Sequence, residues 1–174
     1  MKYFIRLYVL LTFLIFSSIS YSSSIVYVDL DFIIANSLVG KSATKQIDDK
    51  KKKYEVELNK METNIKNEDK TISSQKNILS DNDIKIKVDK LNKKINDYKS
   101  RTQTINKEIN NNKIYATSKI LENLKPILSQ YSDENNIELI LQKKNIIIGK
   151  NKLNITDDII KLLDKKITKI SIEK

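Results

Sequence analysis

Between Lys41 and Lys125 the chain contains neither glycine nor proline, and apolar residues there recur at alternating four- and three-residue steps. The first run reads Ile47, Tyr54, Leu58, Met61, Ile65, Ile72 and Leu79. After the polar stretch Ser80, Asp81, Asn82 and Asp83 the rhythm resumes at Ile84, Val88, Leu91, Ile95, Tyr98, Ile105 and Ile109. A heptad seam that stops, turns and restarts predicts an antiparallel coiled coil, a chain folded back along itself. With no helix breaker in the span, the single turn is expected around Asp81–Asp83. That pairing sets Leu79 near Ile84, Ile65 near Tyr98 and Tyr54 near Ile109. Such an arm has a narrow apolar seam and much solvated surface. It encloses nothing by itself, which points to partner handling rather than catalysis.

The outgoing helix would hold nearly forty residues, about 58 Å at 1.5 Å per residue. Lys51, Glu68 and Gln75 interrupt its seam, and Thr102 and Asn112 interrupt the returning one. Seam polars weaken a coiled coil while fixing its register, so the arm is expected to bend and fray.

The two ends have a different character. Ile25–Leu30 is β-branched and aromatic, and reads as a strand. Residues 32–39 suggest a short helix, Gly40 its left-handed terminator, and Ser42 or Thr44 the cap of the arm. Past Leu124, Pro126 either opens a separate helical segment, Ile127 to Tyr131, or kinks a continuous helix. Ile137–Leu141 reads as a strand, residues 142–145 as a turn, and Ile146–Ile148 as a second strand before Gly149. A last helix follows, with Thr156 as its cap, Asp157 and Asp158 at the positive end of its dipole, and Ile159, Ile160, Leu163 and Ile167 as its buried stripe. The expected fold class is α+β, mainly α: a small β-containing assembly body with a long inserted helical hairpin. Residues 25–40 and 126–170 form the body, 41–125 the arm. Ile25, Val26 and Val28 must then find Ile137, Leu139 and Leu141 across the whole excursion.

Lys2 and Arg6 precede an acid-free apolar run, Leu7 to Phe16, and a serine-rich stretch. This is the pattern of a secretory signal peptide over residues 1–22, with small residues placed for cleavage after Ser20 or Ser22. The run is too short for a membrane span, which needs about 20 apolar residues. The exported product, residues 23–174, suits one domain. Its formal charge falls from +10 to +8, because the leader holds two cations and no acid.

Composition then removes whole classes of chemistry. The chain has no cysteine, hence no disulfide framework, thiolate nucleophile or thiolate metal site. It has no histidine, the usual general base and commonest metal ligand. No glycine-rich phosphate loop is present. Asp29 and Asp31 share a strand face, but a strand end beside its loop accounts for them. Catalytic, cofactor and metal residues are therefore expected to be none. The exported part keeps one phenylalanine, Phe32, and no tryptophan, too little aromatic bulk for a large monomeric core. Burial between subunits is the expected remedy.

Three stretches together resemble the Skp/OmpH family of periplasmic chaperones. They are Val26–Leu30 leading into Gly40-Lys41-Ser42-Ala43, the undivided helical hairpin, and Ile137–Leu141 followed by the Ile155-Thr156-Asp157-Asp158 helix start. The resemblance implies a homotrimer in the periplasm, with bodies joined through their strands and arms around a central cavity. It implies a nucleotide-independent holdase that keeps unfolded outer-membrane β-barrel proteins from aggregating in transit. Some members are connected with lipopolysaccharide. Here Arg101 is the sole arginine after the leader, so a site built on arginine forks is not carried over.

Lysines crowd residues 50–53 and the stretch Lys85, Lys87, Lys90, Lys93 and Lys94. The functional reading is a positive arm surface that draws acidic unfolded chains or anionic lipid by long-range steering. The alternative is a plain solvated helix face. Two other classes share parts of this pattern: a structural or adaptor coiled coil of the envelope, and a basic nucleic-acid-binding protein. The export signal, the scarcity of arginine and the lack of a groove-reading motif argue against nucleic acid. The ends leave no room for an adaptor's added β-rich domains.

Overall fold

A computed structural model of the chain describes residues 24–173; the expected signal peptide lies outside them. Strand β1 (Ile25–Val28) leads directly into helix α1 (Leu30–Asn36). The Asp29 carboxylate caps that helix by accepting from Phe32 N–H at 3.0 Å. Ser37 then breaks the chain with extended backbone and caps helix α2 (Leu38–Gln75), its Oγ accepting from Gly40 N–H at 3.2 Å. The expected caps, Ser42 and Thr44, are thus already inside the helix. Gly40 is in its first turn and has no positive φ, so it does not terminate anything. Its missing side chain serves close approach instead: a Cβ there would sit 1.7 Å from the Ile34 carbonyl oxygen.

Residues 76–80 connect α2 to helix α3 (Asp81–Glu134). The turn therefore falls before Asp81–Asp83, which form the first turn of α3. Ser80 caps it, its Oγ accepting from Asp83 N–H at 3.2 Å and donating to Asp83 Oδ2 at 2.6 Å. Negative charge at this helix start favours the dipole. The helix runs unbroken through Pro126, so no separate segment begins there. Proline removes one intrahelical bond, and its exposed position leaves the orphaned carbonyl to solvent. Asn136, in the left-handed region at φ 51°, ends α3, with Ile137 N–H donating back to Ser132 O at 2.9 Å.

Strand β2 (Leu139–Gln142) then pairs in parallel with β1, Ile25 opposite Leu139 and Val28 opposite Gln142. The two ends of the chain do meet across the whole hairpin. Ile137 and Glu138 precede the strand rather than belong to it. The second expected strand, Ile146–Ile148, does not form: among the described residues no neighbouring strand pairs with it. The far side of β1 is flanked by a bridge from Tyr27 to Asn154. Helix α4 (Thr156–Lys166) closes the body. Thr156 is its first residue rather than its cap. Its hydroxyl accepts from Asp29 N–H at 2.9 Å and donates to Asn154 Oδ1 at 2.6 Å, tying α4 to the end of β1.

Two apolar clusters result. The body core packs Val26, Val28 and Ile33 against Ile120, Leu124, Ile159 and Leu163. Burial of each large side chain there contributes about 1.5–3 kcal/mol. The core takes in Ile120 and Leu124, so the last turns of α3 belong to the body by packing. A second cluster fills the root of the arm with Ala43, Ile47, Ile105, Ile109, Ala116 and Ile172.

Candidate functional site

Helices α2 and α3 are joined beyond the root by polar rungs that descend one helix as they climb the other. The Tyr54 hydroxyl donates to Glu108; Arg101 forks onto Glu57, with Nε to Oε1 at 2.6 Å and Nη2 to Oε2 at 3.0 Å. Lys94 Nζ lies 2.5 Å from Glu68 Oε2, and Lys87 Nζ donates to Gln75 Oε1 at 2.6 Å. Reversed order along the two helices is what an antiparallel pair requires. The seam polars at Glu68 and Gln75 are thus partners across the arm, holding its register. Thr102 instead bonds back to Tyr98 O on its own helix. Arg101 also sits 5.3 Å from the centre of the Tyr54 ring and 3.7 Å from Glu108. Its hydrogen bonds hold the Glu57 carboxyl below the ordinary value, while the bond to Glu108 and desolvation push the Tyr54 phenol up.

Along the seam, burial is uneven. Ile47, Ile72, Leu91, Ile105 and Ile109 are buried. Tyr54, Leu58, Met61, Ile65, Leu79, Ile84, Ile95 and Tyr98 are half-buried. Val88 is 37% exposed, and the position facing the partner helix is taken by Lys87. A one-residue shift of the stripe near the tip accounts for the difference. The distal arm is therefore only thinly sealed.

The lysine group divides along the same line. Lys87 is half-buried on its rung; Lys94, although paired with Glu68, is exposed like Lys85, Lys90 and Lys93. Apolar residues are also exposed along the arm and its turn: Val56, Ile78, Ile86 and Ile114. Their mixture suits many weak, non-specific contacts with an extended chain better than one tight site. Sequence reasoning missed the rungs from Glu57 and Glu108. The available signal was oppositely charged residues flanking the seam at mirrored distances from the turn.

On the body, Val26 and Val28 face the core, whereas Ile25, Leu139 and Leu141 are exposed on the opposite face of the sheet. Ile137 is buried beside the end of α3. Ile147 and Ile148, beyond β2, are 99% and 90% exposed. An apolar face and an apolar tongue on one small body are a marked solvent liability.

Among the described residues no cluster of three or more His, Cys, Asp or Glu could hold a metal ion, and no helix is long and apolar enough to cross a membrane. The family model "Outer membrane protein (OmpH-like)" matches residues 24–163. No curated protein matches the chain significantly in sequence. Among solved structures, the fold is similar to that of a Caulobacter crescentus protein described as an OmpH-like candidate outer membrane chaperone. The TM-score is 0.80 at 19% identity, covering 86% of this chain and 89% of that one. The strand–hairpin–strand order, the thin charged arm and the match across the described body and arm agree. The chain belongs to the OmpH-like (Skp) family of non-catalytic periplasmic chaperones.

Proposed function

We propose that this chain is one subunit of a homotrimeric, ATP-independent holdase that keeps unfolded outer-membrane β-barrel proteins from aggregating. The observation carrying this reading is the division of surface between a sheet face on which Ile25, Leu139 and Leu141 stay exposed beside the buried Tyr27 and a long arm that is only thinly sealed. Ile25, Leu139 and Leu141 supply apolar area for joining bodies, and Ile146–Ile148 is the strand that a neighbouring subunit completes. Three arms on one base then form a cage, each a supercoiled hairpin loosened by the half-buried seam of its distal part. Clients are kept apart by enclosure and by weak contacts with Val56, Ile78, Ile86 and the exposed Lys85, Lys90 and Lys93. The same lysines give anionic lipid a surface to approach. Net positive charge speeds capture, so association slows at high salt while bound complexes persist longer than that slowing suggests.

Two measurements test the reading. The mass of the exported protein in solution should be that of a trimer; a stable monomer removes the cavity. A urea-denatured barrel protein diluted into buffer should stay clear with the intact chain and turn turbid with a version lacking residues 50–114. If the shortened version still assembles and suppresses turbidity equally, the arm is not the client-binding element.

A further inference from the structure

After α4 the chain does not end on the body. Residues 168–173 run without regular secondary structure along the root of the arm and touch both of its helices. From α2, the Gln46 amide donates to Ile170 O at 3.0 Å, and Lys50 Nζ lies 2.5 Å from Glu173 Oε1. From α3, the Asn112 amide, turned to the orientation that pairs both of its atoms, donates to Ile172 O at 3.3 Å and accepts from Lys50 Nζ at 3.2 Å. The Ile172 side chain is 5% exposed and completes the root cluster with Ala43, Ile47, Ile105, Ile109 and Ala116. This segment lies past residue 163, where the family match stops.

We infer that residues 168–173 form a brace that fixes the arm to the body and limits its swing. The geometry is that of a strap. One end is anchored by α4, where Ile167 N–H donates to Leu163 O at 2.9 Å and Leu163 is fully buried in the body core. The other end plugs the groove between α2 and α3 where the arm leaves the body. Backbone carbonyls accept from polar side chains on both helices, so splaying the root breaks bonds on each side at once. Ile170, half-buried within the strap, also packs against both the body core and the root cluster. One buried and one half-buried isoleucine, two carbonyl contacts and a partly exposed ion pair form a restraint that local opening can release without unfolding the body. On the holdase reading the brace sets how wide the cage opens; the restraint itself does not depend on that reading.

The test uses native-state hydrogen exchange on the full exported chain, which reads arm mechanics and not aggregation. Ile172→Asp, which detaches the strap at unchanged length, and truncation after Lys169 should both accelerate amides of residues 43–58 and 101–116. The expected factor is about ten- to a hundredfold, from the loss of one buried isoleucine side chain. Amides of β1 and α4 should be unchanged. Gln46→Ala, which removes the tether to Ile170 and one bond within α2 to Ser42 O, should give the same pattern at smaller amplitude. Unchanged root exchange in Ile172→Asp and the truncation overturns the brace. Equal acceleration of β1 and α4 also overturns it, since the segment would then be part of the global fold.

Discussion

Leu91→Ala probes whether the distal arm is a separate unit of stability. Leu91 and Ile72 are each 8% exposed, between the Gln75–Lys87 and Glu68–Lys94 rungs, and the residues on either side of them are only half-buried. The substitution removes three carbon atoms, about 2.4 kcal/mol of lost burial at 0.8 per methylene. The additional cavity term is small, because a two-helix arm can collapse and the stems of Lys87 and Lys94 can slide into the gap. Leucine and alanine both favour helix, so propensity changes little. The net loss is about 2–3 kcal/mol, against roughly 3–5 kcal/mol for Leu124→Ala in the body core. If the distal arm opens independently, peptides from residues 61–79 and 84–102 should exchange about thirty- to a hundredfold faster, by the usual 1.4 kcal/mol per decade. Peptides from β1 and α4 should keep their protection. Acceleration of the body by the same factor would refute the reasoning, because arm and body would then unfold as one.

Two further outcomes follow from other parts of the fold. Gly40→Ala should lower the urea midpoint and unpack α1 from α2, since a Cβ 1.7 Å from the Ile34 carbonyl oxygen forces backbone to move; the cost is about 3 kcal/mol or more. Hydrogen bonds from Arg101 and Lys50 hold the Glu57 and Glu173 carboxyls below their ordinary value of 4.5. A carboxyl with depressed folded pKa contributes stability that is present above its unfolded value and lost as pH falls through the folded one. Exchange in the arm should therefore rise below pH 4.5, after correction for intrinsic rates, and Glu57→Gln should flatten that dependence.

The hairpin was legible because helix periodicity is a local property. Each residue from Ile47 to Ile109 declares its face by its distance from the next apolar one, and the lack of glycine or proline removes alternatives. The pairing of the ends was legible for a coarser reason: Ile25–Val28 and Leu139–Leu141 are the apolar extended runs left over once the arm is removed. Local rules failed where a distant group decided the outcome. Thr156 sits like a cap, but the Asp29 amide claims its hydroxyl. Gly40 looks like a helix terminator, but the Ile34 carbonyl needs the space. Ile146–Ile148 has strand composition, yet a strand exists only where another offers its edge.

The functional surface divides the same way. That the arm is long and basic and carries neither histidine nor cysteine is written in residue type and order alone, because charge, helix length and residue type need no fold. Which lysines face outward is not: Lys87 and Lys90 are alike in sequence, but a one-residue shift of the seam turns Lys87 onto Gln75 and leaves Lys90 in solvent. The rungs between Glu57 and Arg101, and the strap of Ile170 to Glu173 across Gln46, Lys50 and Asn112, join residues widely separated in the chain. No spacing rule relates such positions. Only the register of two packed helices brings them within hydrogen-bond reach, and that register is set by the summed fit of the seam rather than by any residue in it.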